Sequence, residues 1–391
     1  RLQIIINLRK NVFFHDGTPF NSNSIKFTFN RFKKIGTMNY ILGNKIKSIE
    51  TPSEYSVIIN LNKASSSLNG LLTSVNLTPI SPTFYKHYSD KFLNEKFVGT
   101  GKYVLKSFSN EVQLIDPNLN YWGEKPLNKG VNFVGYSNSS SLFGGLKNKQ
   151  IDVLLSNSID DSQRKSLNNL SKNKKYKEGS SPFTELSFIS LKTSSYPLSN
   201  FNLRLALAKS LNRKLISEKV SYGLRKPSRS IIPPILKKNN QELWPKYNYL
   251  EARRLLQKEN YCNGNILKIP LTYRSNVPAD KLIALTWQDE IRNSLKDCIE
   301  IELNGVESTT VYKNLSLGIY TAVILDWTGA YSDPEAYLTP LLSCNEIVDG
   351  ICKKGESVYS GSFWGSNKVE SLFLESEKIS GNKRIDKLVE I

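Results

Sequence analysis

Four side chains of this 391-residue sequence are suited to hold a small molecule by contact alone: Tyr273, Arg274, Trp327 and Tyr331. Indole and phenol rings offer flat apolar area with one polar tip, which tolerates varied ligands. A guanidinium fork matches a carboxylate. In the run Trp327-Thr328-Gly329-Ala330-Tyr331-Ser332-Asp333-Pro334, an aromatic strand end meets a glycine and then a turn closed by Asp-Pro. That order sets Trp327, Thr328, Gly329, Ala330 and Tyr331 beside a cleft, with Asp333 and Pro334 organising the turn. Trp327 is read as a ligand wall, the alternative being core packing. Arg274 is read either as a ligand-carboxylate partner or as a surface arginine. Bond-making chemistry has little to work with. HExxH, GxSxG and GxxxxGK[ST] motifs are missing, and His15 and His87 are the only histidines. No catalytic residue is assigned, and the chain is read as a non-enzyme. Cys262, Cys298, Cys344 and Cys352 form no CxxC and lie far from both histidines, so neither a metal site nor a cofactor is expected.

The candidate side chains need elements to place them. Ile266 to Tyr273 reads as a strand. Pro278 to Lys296 reads as a helix, with Pro at its start and Ile283, Trp287, Ile291 and Leu295 four apart. Strand Ile299 to Leu303, helix Thr309 to Leu315 and strand Ile319 to Trp327 complete a β-α-β-α-β series. Such alternation predicts a parallel sheet, and ligands of parallel sheets gather at the carboxyl ends of the strands. Upstream, Leu203, Leu207, Leu211 and Leu215 predict one helix that ends at Gly223. Near the start, a short apolar run leads into His15-Asp16-Gly17-Thr18-Pro19, a strong turn signal. A helix capped within Asn21 to Ser24 follows, with Ile25, Phe29 and Phe32 on one face before Gly36.

Length predicts two or three lobes rather than one core. Hydrophobic residues at 39% and aromatics at 10% predict a folded chain, and no run of 18 apolar residues could span a bilayer. The formal net charge of +18 invites a nucleic-acid partner. The basic residues are scattered, however, in short clusters such as Lys172 to Lys177 and Lys237-Lys238, with no nucleic-acid-binding motif around them. A solvated surface is expected instead. An even cysteine count permits two disulfides, as in an exported protein; four buried thiols are the alternative.

Several of these segments together resemble the family-5 bacterial extracellular solute-binding proteins, the peptide-, opine- and nickel-type receptors of ABC importers. The resemblance rests on LRKNVFFHDGTPF with its helix ending in Arg31-Phe32, on Gly99-Thr100-Gly101-Lys102-Tyr103, and on Asn120-Tyr121-Trp122-Gly123. It also rests on Arg204, Ala206, Leu207, Asn212, Arg213 and Ile216, on Pro233-Pro234, and on Trp327 to Pro334. It implies an α/β, two-lobed, type II periplasmic-binding-protein-like fold with an extra inserted lobe and mixed sheets flanked by helices. The expected domains are 1–97 as the inserted lobe with its start missing, 98–197 as part of the first α/β lobe, and 198–391 as the second lobe with its end missing.

The resemblance further implies a monomer, exported to the periplasm and lipid-anchored in some relatives. It would capture an oligopeptide or dipeptide in an interlobe cleft and hand it to a separate permease and ATPase. Contact with the membrane would run only through the permease or a lipid anchor. A bridge between Cys344 and Cys352 is implied as well. One departure matters. Peptide-type relatives carry, at the position of Ala330, an Asp that pairs with the peptide's ammonium group. An ammonium buried without a counter-charge is costly. Ala330 therefore raises the alternative of a non-peptide solute such as an opine, a sugar or a small chelate. A peptide-binding chaperone or signalling receptor on the same fold is a third possibility. Nickel-type relatives use a histidine near the ligand, and His15 instead reads as a structural residue of its turn.

Overall fold

The computed structural model describes residues 2–36, 42, 45–87, 96–155, 159–179, 184–236 and 243–391. The Lys237-Lys238 cluster lies outside the described residues. Two compact units emerge: Arg1–Ser141 with Glu377–Ser380, and Leu142–Ser376 with Gly381–Ile391.

The first unit carries two antiparallel sheets. In one, β1 (Gln3–Asn7) and β2 (Ile46–Ser53) flank β3 (Ser56–Leu61). Val57, Ile59 and Leu61 alternate inward along β3, the period-2 pattern of a sheet with one dry face. Helix Ser22–Ile35 buries Ile25 and Phe29. It starts in a reciprocal cap between Asn21 and Ser24 and ends where the Gly36 N–H reaches the Phe32 carbonyl. In the other sheet, β4 (Tyr103–Phe108), β5 (Val112–Pro117) and β6 (Val131–Val134) form a meander. The segment Glu377–Ser380 also belongs to this unit. The Glu377 carboxylate accepts from Lys45 Nζ, the Ser66 N–H at 2.7 Å and Ser67 Oγ at 2.9 Å.

The second unit is built on a four-stranded sheet of order β7-β10-β8-β9, with β7 at Glu185–Leu191, β8 at Leu267–Arg274, β9 at Ile299–Val306 and β10 at Ala322–Thr328. The β-α-β-α-β series is present, with β8 parallel to both β9 and β10. Strand β7 pairs antiparallel with β10 and forms an edge of the second unit's sheet. Seven residues of β7 cover all seven of β10. Helix Pro278–Ser294 packs Ala284, Trp287 and Ile291 into the largest core, beside Leu203, Leu207, Ile269 and Ile301. Burial of each large side chain there contributes about 1.5–3 kcal/mol. Trp287 satisfies its indole N–H on Ser210 Oγ at 3.2 Å.

The single helix expected up to Gly223 is two, Phe201–Ser210 and Arg213–Ser221. Leu211 takes extended backbone, and the Asn212 side chain accepts the Leu215 N–H, capping the second helix. A side-chain cap outcompetes the leucine repeat.

Both cysteine pairs are closed, Cys262–Cys298 and Cys344–Cys352. The first staples the entries of β8 and β9 across a separation of 36 residues, a loop worth about 4 kcal/mol of chain entropy. The second spans 8 residues and is worth about 2.5 kcal/mol on the same basis.

Candidate functional site

The carboxyl ends of β8 and β10 carry the residues singled out from sequence. Arg274 ends β8 but is only 4% exposed, which corrects its reading as a surface arginine. Its Nε and Nη2 donate to both oxygens of Asp280, at 2.7 and 3.1 Å. Nη2 also reaches Asp326 Oδ2 at 2.8 Å, and Nη1 reaches the Tyr312 hydroxyl at 2.7 Å. Burial alone would lower the Arg274 pKa, but the hydrogen bonds it donates to Asp280 and Asp326 outweigh it and hold the guanidinium charged. The fork proposed for a ligand carboxylate is thus engaged by two carboxylates of its own unit. Tyr273, on the opposite face of β8, packs against the main core, and its ring lies against Gly305, where a Cβ would fall 2.7 Å from the phenol oxygen.

Trp327 is half-buried at the end of β10, opposite Leu186 of β7. Its indole N–H donates to the Ala336 carbonyl at 2.8 Å, which fixes the ring against helix Glu335–Leu342. Thr328 is exposed, and Ala330 and Tyr331 are partly covered. Gly329 is required by close approach: a Cβ there would sit 2.6 Å from the Tyr337 ring. Tyr337 in turn donates to the Thr184 carbonyl at 2.6 Å.

Asp333 holds the turn with one oxygen, accepting the Glu335 N–H at 2.8 Å. Its other oxygen accepts from Arg384 Nη1 at 2.7 Å, and Arg384 Nη2 donates to Glu335 at 2.8 Å. Pro334 is buried beside it. Sequence reasoning missed Arg384, 51 residues downstream, because nothing local marks its partner. It also missed Asp280 and Asp326. Asp280 had a signal, since an acidic residue in the first turn of a helix complements the helix dipole.

His15 bridges two segments of the first unit. Its Nδ1 accepts the Gly99 N–H at 3.4 Å and its Nε2 donates to the Gly101 carbonyl at 3.1 Å. Among the described residues, no group of three His, Cys, Asp or Glu could hold a metal ion. None of the described helices is long and apolar enough to cross a membrane.

A parallel-cored sheet with aromatic and charged residues at its carboxyl ends is the arrangement of the type II periplasmic binding fold, and solved structures of that fold match nearly the whole chain. Residues 1–349 match the family described as bacterial extracellular solute-binding proteins, family 5 middle, and the chain belongs to that family. Among curated relatives, it is 25% identical over 342 residues to a probable D,D-dipeptide-binding periplasmic protein of Escherichia coli, covering 85% of this chain and 63% of that protein. It is likewise 25% identical to heme-binding protein A of Haemophilus influenzae, covering 88% of this chain and 67% of the relative. The chain therefore spans about two thirds of the length of the curated relatives it matches. In structure it resembles a dipeptide-binding protein from Pseudoalteromonas solved with Met-Leu, with a TM-score of 0.81 at 20% identity, covering 99% of this chain and 79% of that one. It also resembles a Campylobacter jejuni protein solved with Ni(L-His), with a TM-score of 0.80 at 19% identity, covering 99% and 77%.

Proposed function

We propose that this protein is the substrate-binding component of an ABC importer, taking up a peptide or peptide-like solute and delivering it to a separate membrane permease driven by a separate ATPase. The observation that carries this reading is the family match over residues 1–349. Relatives and neighbours named for dipeptide, glutathione and peptide binding add weight to the peptide class. The mechanism needs no bond chemistry. A bound solute favours the conformation with which it makes more contacts, and that conformation is the one handed on. The protein acts as a monomer in the periplasm, with or without a lipid anchor. Trp327, with Thr328, Gly329, Ala330 and Tyr331, forms the ligand wall in this reading.

A second reading, a non-peptide solute, is favoured by a specific pair of observations. Ala330 offers no carboxylate for an ammonium group, and Arg274 is already engaged by Asp280 and Asp326. Both charged handles of a zwitterionic dipeptide thus lack their expected partners. Native mass spectrometry of the gently purified full protein separates the readings. A series of co-purified short-peptide masses supports the first, and a single non-peptide mass supports the second. A protein that carries no solute and gives no heat with a panel of peptides, opines and sugars overturns both.

A further inference from the structure

The first unit presents a feature apart from the residues assigned above to the solute. The loop between β5 and β6 is pinned from below. Asn118, only 8% exposed, donates from its side chain to the Gly101 carbonyl at 3.0 Å, and the Trp122 indole N–H donates to the Thr100 carbonyl at 3.0 Å. Its apolar tips are nevertheless held outward: Leu119 is 74% exposed, Trp122 41% and Leu127 fully. Cations line the same stretch. The Arg9 guanidinium lies 4.4 Å from the Trp122 ring centre, the Trp122 and Tyr121 rings are 4.9 Å apart, and Lys102 Nζ lies 5.8 Å from the Tyr121 ring. Lys102, Lys125 and Leu127 border one concavity of about 720 Å³, where Glu124 is the one acidic residue. Among the described residues, Arg9, Lys102 and Lys125 enter no ion pair. The charge of the whole unit points the same way. Its segments contain 18 Lys and Arg against 9 Asp and Glu, a net +9 over 145 residues, where the second unit spreads the same net charge, 35 against 26, over 246 residues.

We propose that this patch docks directly on an anionic lipid bilayer, with Leu119, Trp122 and Leu127 entering the headgroup region and Arg9, Lys102 and Lys125 facing lipid phosphates. Charge complementarity selects the occupant. Apolar tips held outward between uncompensated cations are the composition of an interfacial membrane contact, in which shallow burial and attraction to anionic headgroups act together. Indole rings favour that depth because one edge is apolar and the other polar. The contact is separate from any permease or lipid anchor.

Co-sedimentation of the full chain with phosphatidylcholine vesicles, with and without phosphatidylglycerol, tests the proposal. Binding is expected only with phosphatidylglycerol and falls as salt rises. Each cation at an anionic surface contributes a factor of about five, so the triple variant Arg9→Gln, Lys102→Gln, Lys125→Gln lowers partitioning roughly 100-fold. Lys172→Gln, Lys174→Gln, Lys175→Gln in the second unit removes the same charge and is expected to leave partitioning within about twofold. The double variant Lys125→Gln, Leu127→Ser alters two exposed side chains without touching the Arg9–Trp122 stack. It is expected to lower partitioning at least fivefold, and it reads the patch even where the triple variant fails to fold. Absence of binding to phosphatidylglycerol vesicles, or an equal loss in the second-unit control, overturns the proposal.

Discussion

Two aspartates, one in each unit, carry out the same local task and differ in what they reach for next. Asp16 accepts the Thr18 N–H at 2.9 Å with one oxygen, and Ser81 donates to the other across a separation of 65 residues. Asp333 accepts the Glu335 N–H with one oxygen and the Arg384 guanidinium with the other, across 51 residues. Both turns are therefore stitched to a distant piece of chain. The first stitch is a neutral, buried hydroxyl on an exposed carboxylate; the second is a charge that is itself 4% exposed and shared with buried Glu335. A turn held by a hydroxyl can lose its partner cheaply. A turn held by a buried ion pair cannot, because the charge left behind has no water to turn to.

The sharpest break in that comparison is Arg384→Met. It removes the guanidinium that Asp333 and Glu335 share and is expected to cost about 3–5 kcal/mol, measured by urea unfolding. A loss below about 1 kcal/mol would mean the two turns are energetically alike. Next comes acid. Burial opposes ionisation of Glu377, but the Lys45 charge and the hydrogen bonds from Ser67 outweigh it and bring Glu377 down to about 2. A lowered pKa stabilises the fold above the ordinary carboxylate value of 4.5, and that contribution is lost as pH falls toward 2. It amounts to about 3 kcal/mol. Glu377→Gln should therefore flatten the acid limb of the stability profile between pH 4.5 and 2 while lowering stability at neutral pH. An unchanged acid limb would show that the first unit's anchors lie elsewhere. Asp16→Asn should cost only about 1 kcal/mol by the same urea assay, since a hydroxyl partner remains available to an amide. The smallest expected effect on stability is that of Ala330→Asp, within about 0.5 kcal/mol for a partly covered site. Its readout is calorimetric. If the solute bears an ammonium group, the variant binds it about tenfold tighter, and a neutral solute shows no gain.

Much of the architecture was legible because local rules decide it. The cap within Asn21 to Ser24 and the four-residue spacing of Trp287 and Ile291 read directly as elements. So did the parallel order that follows from strands alternating with helices. The failures share one cause. The leucine repeat through Leu211 predicted continuity where Asn212 caps a new helix. Strand β7 carries no local sign of its partner, since its hydrogen bonds go to β10 more than 130 residues away in sequence. Arg274 looked available because its partners Asp280, Tyr312 and Asp326 arrive from a helix start, a second helix and another strand.

What the sequence determined by itself is therefore the family, the turns and those elements that local signals mark, since caps, periodicity and Asp-Gly or Asp-Pro chemistry act over a few residues. Only the tertiary structure decided which charges are spent. Sequence spacing carries no information on whether a guanidinium meets a carboxylate from 6, 51 or 52 residues away, as Arg274 and Arg384 do. Pairing at that range is settled by packing, because a buried charge must find its counter-charge wherever the fold brings one.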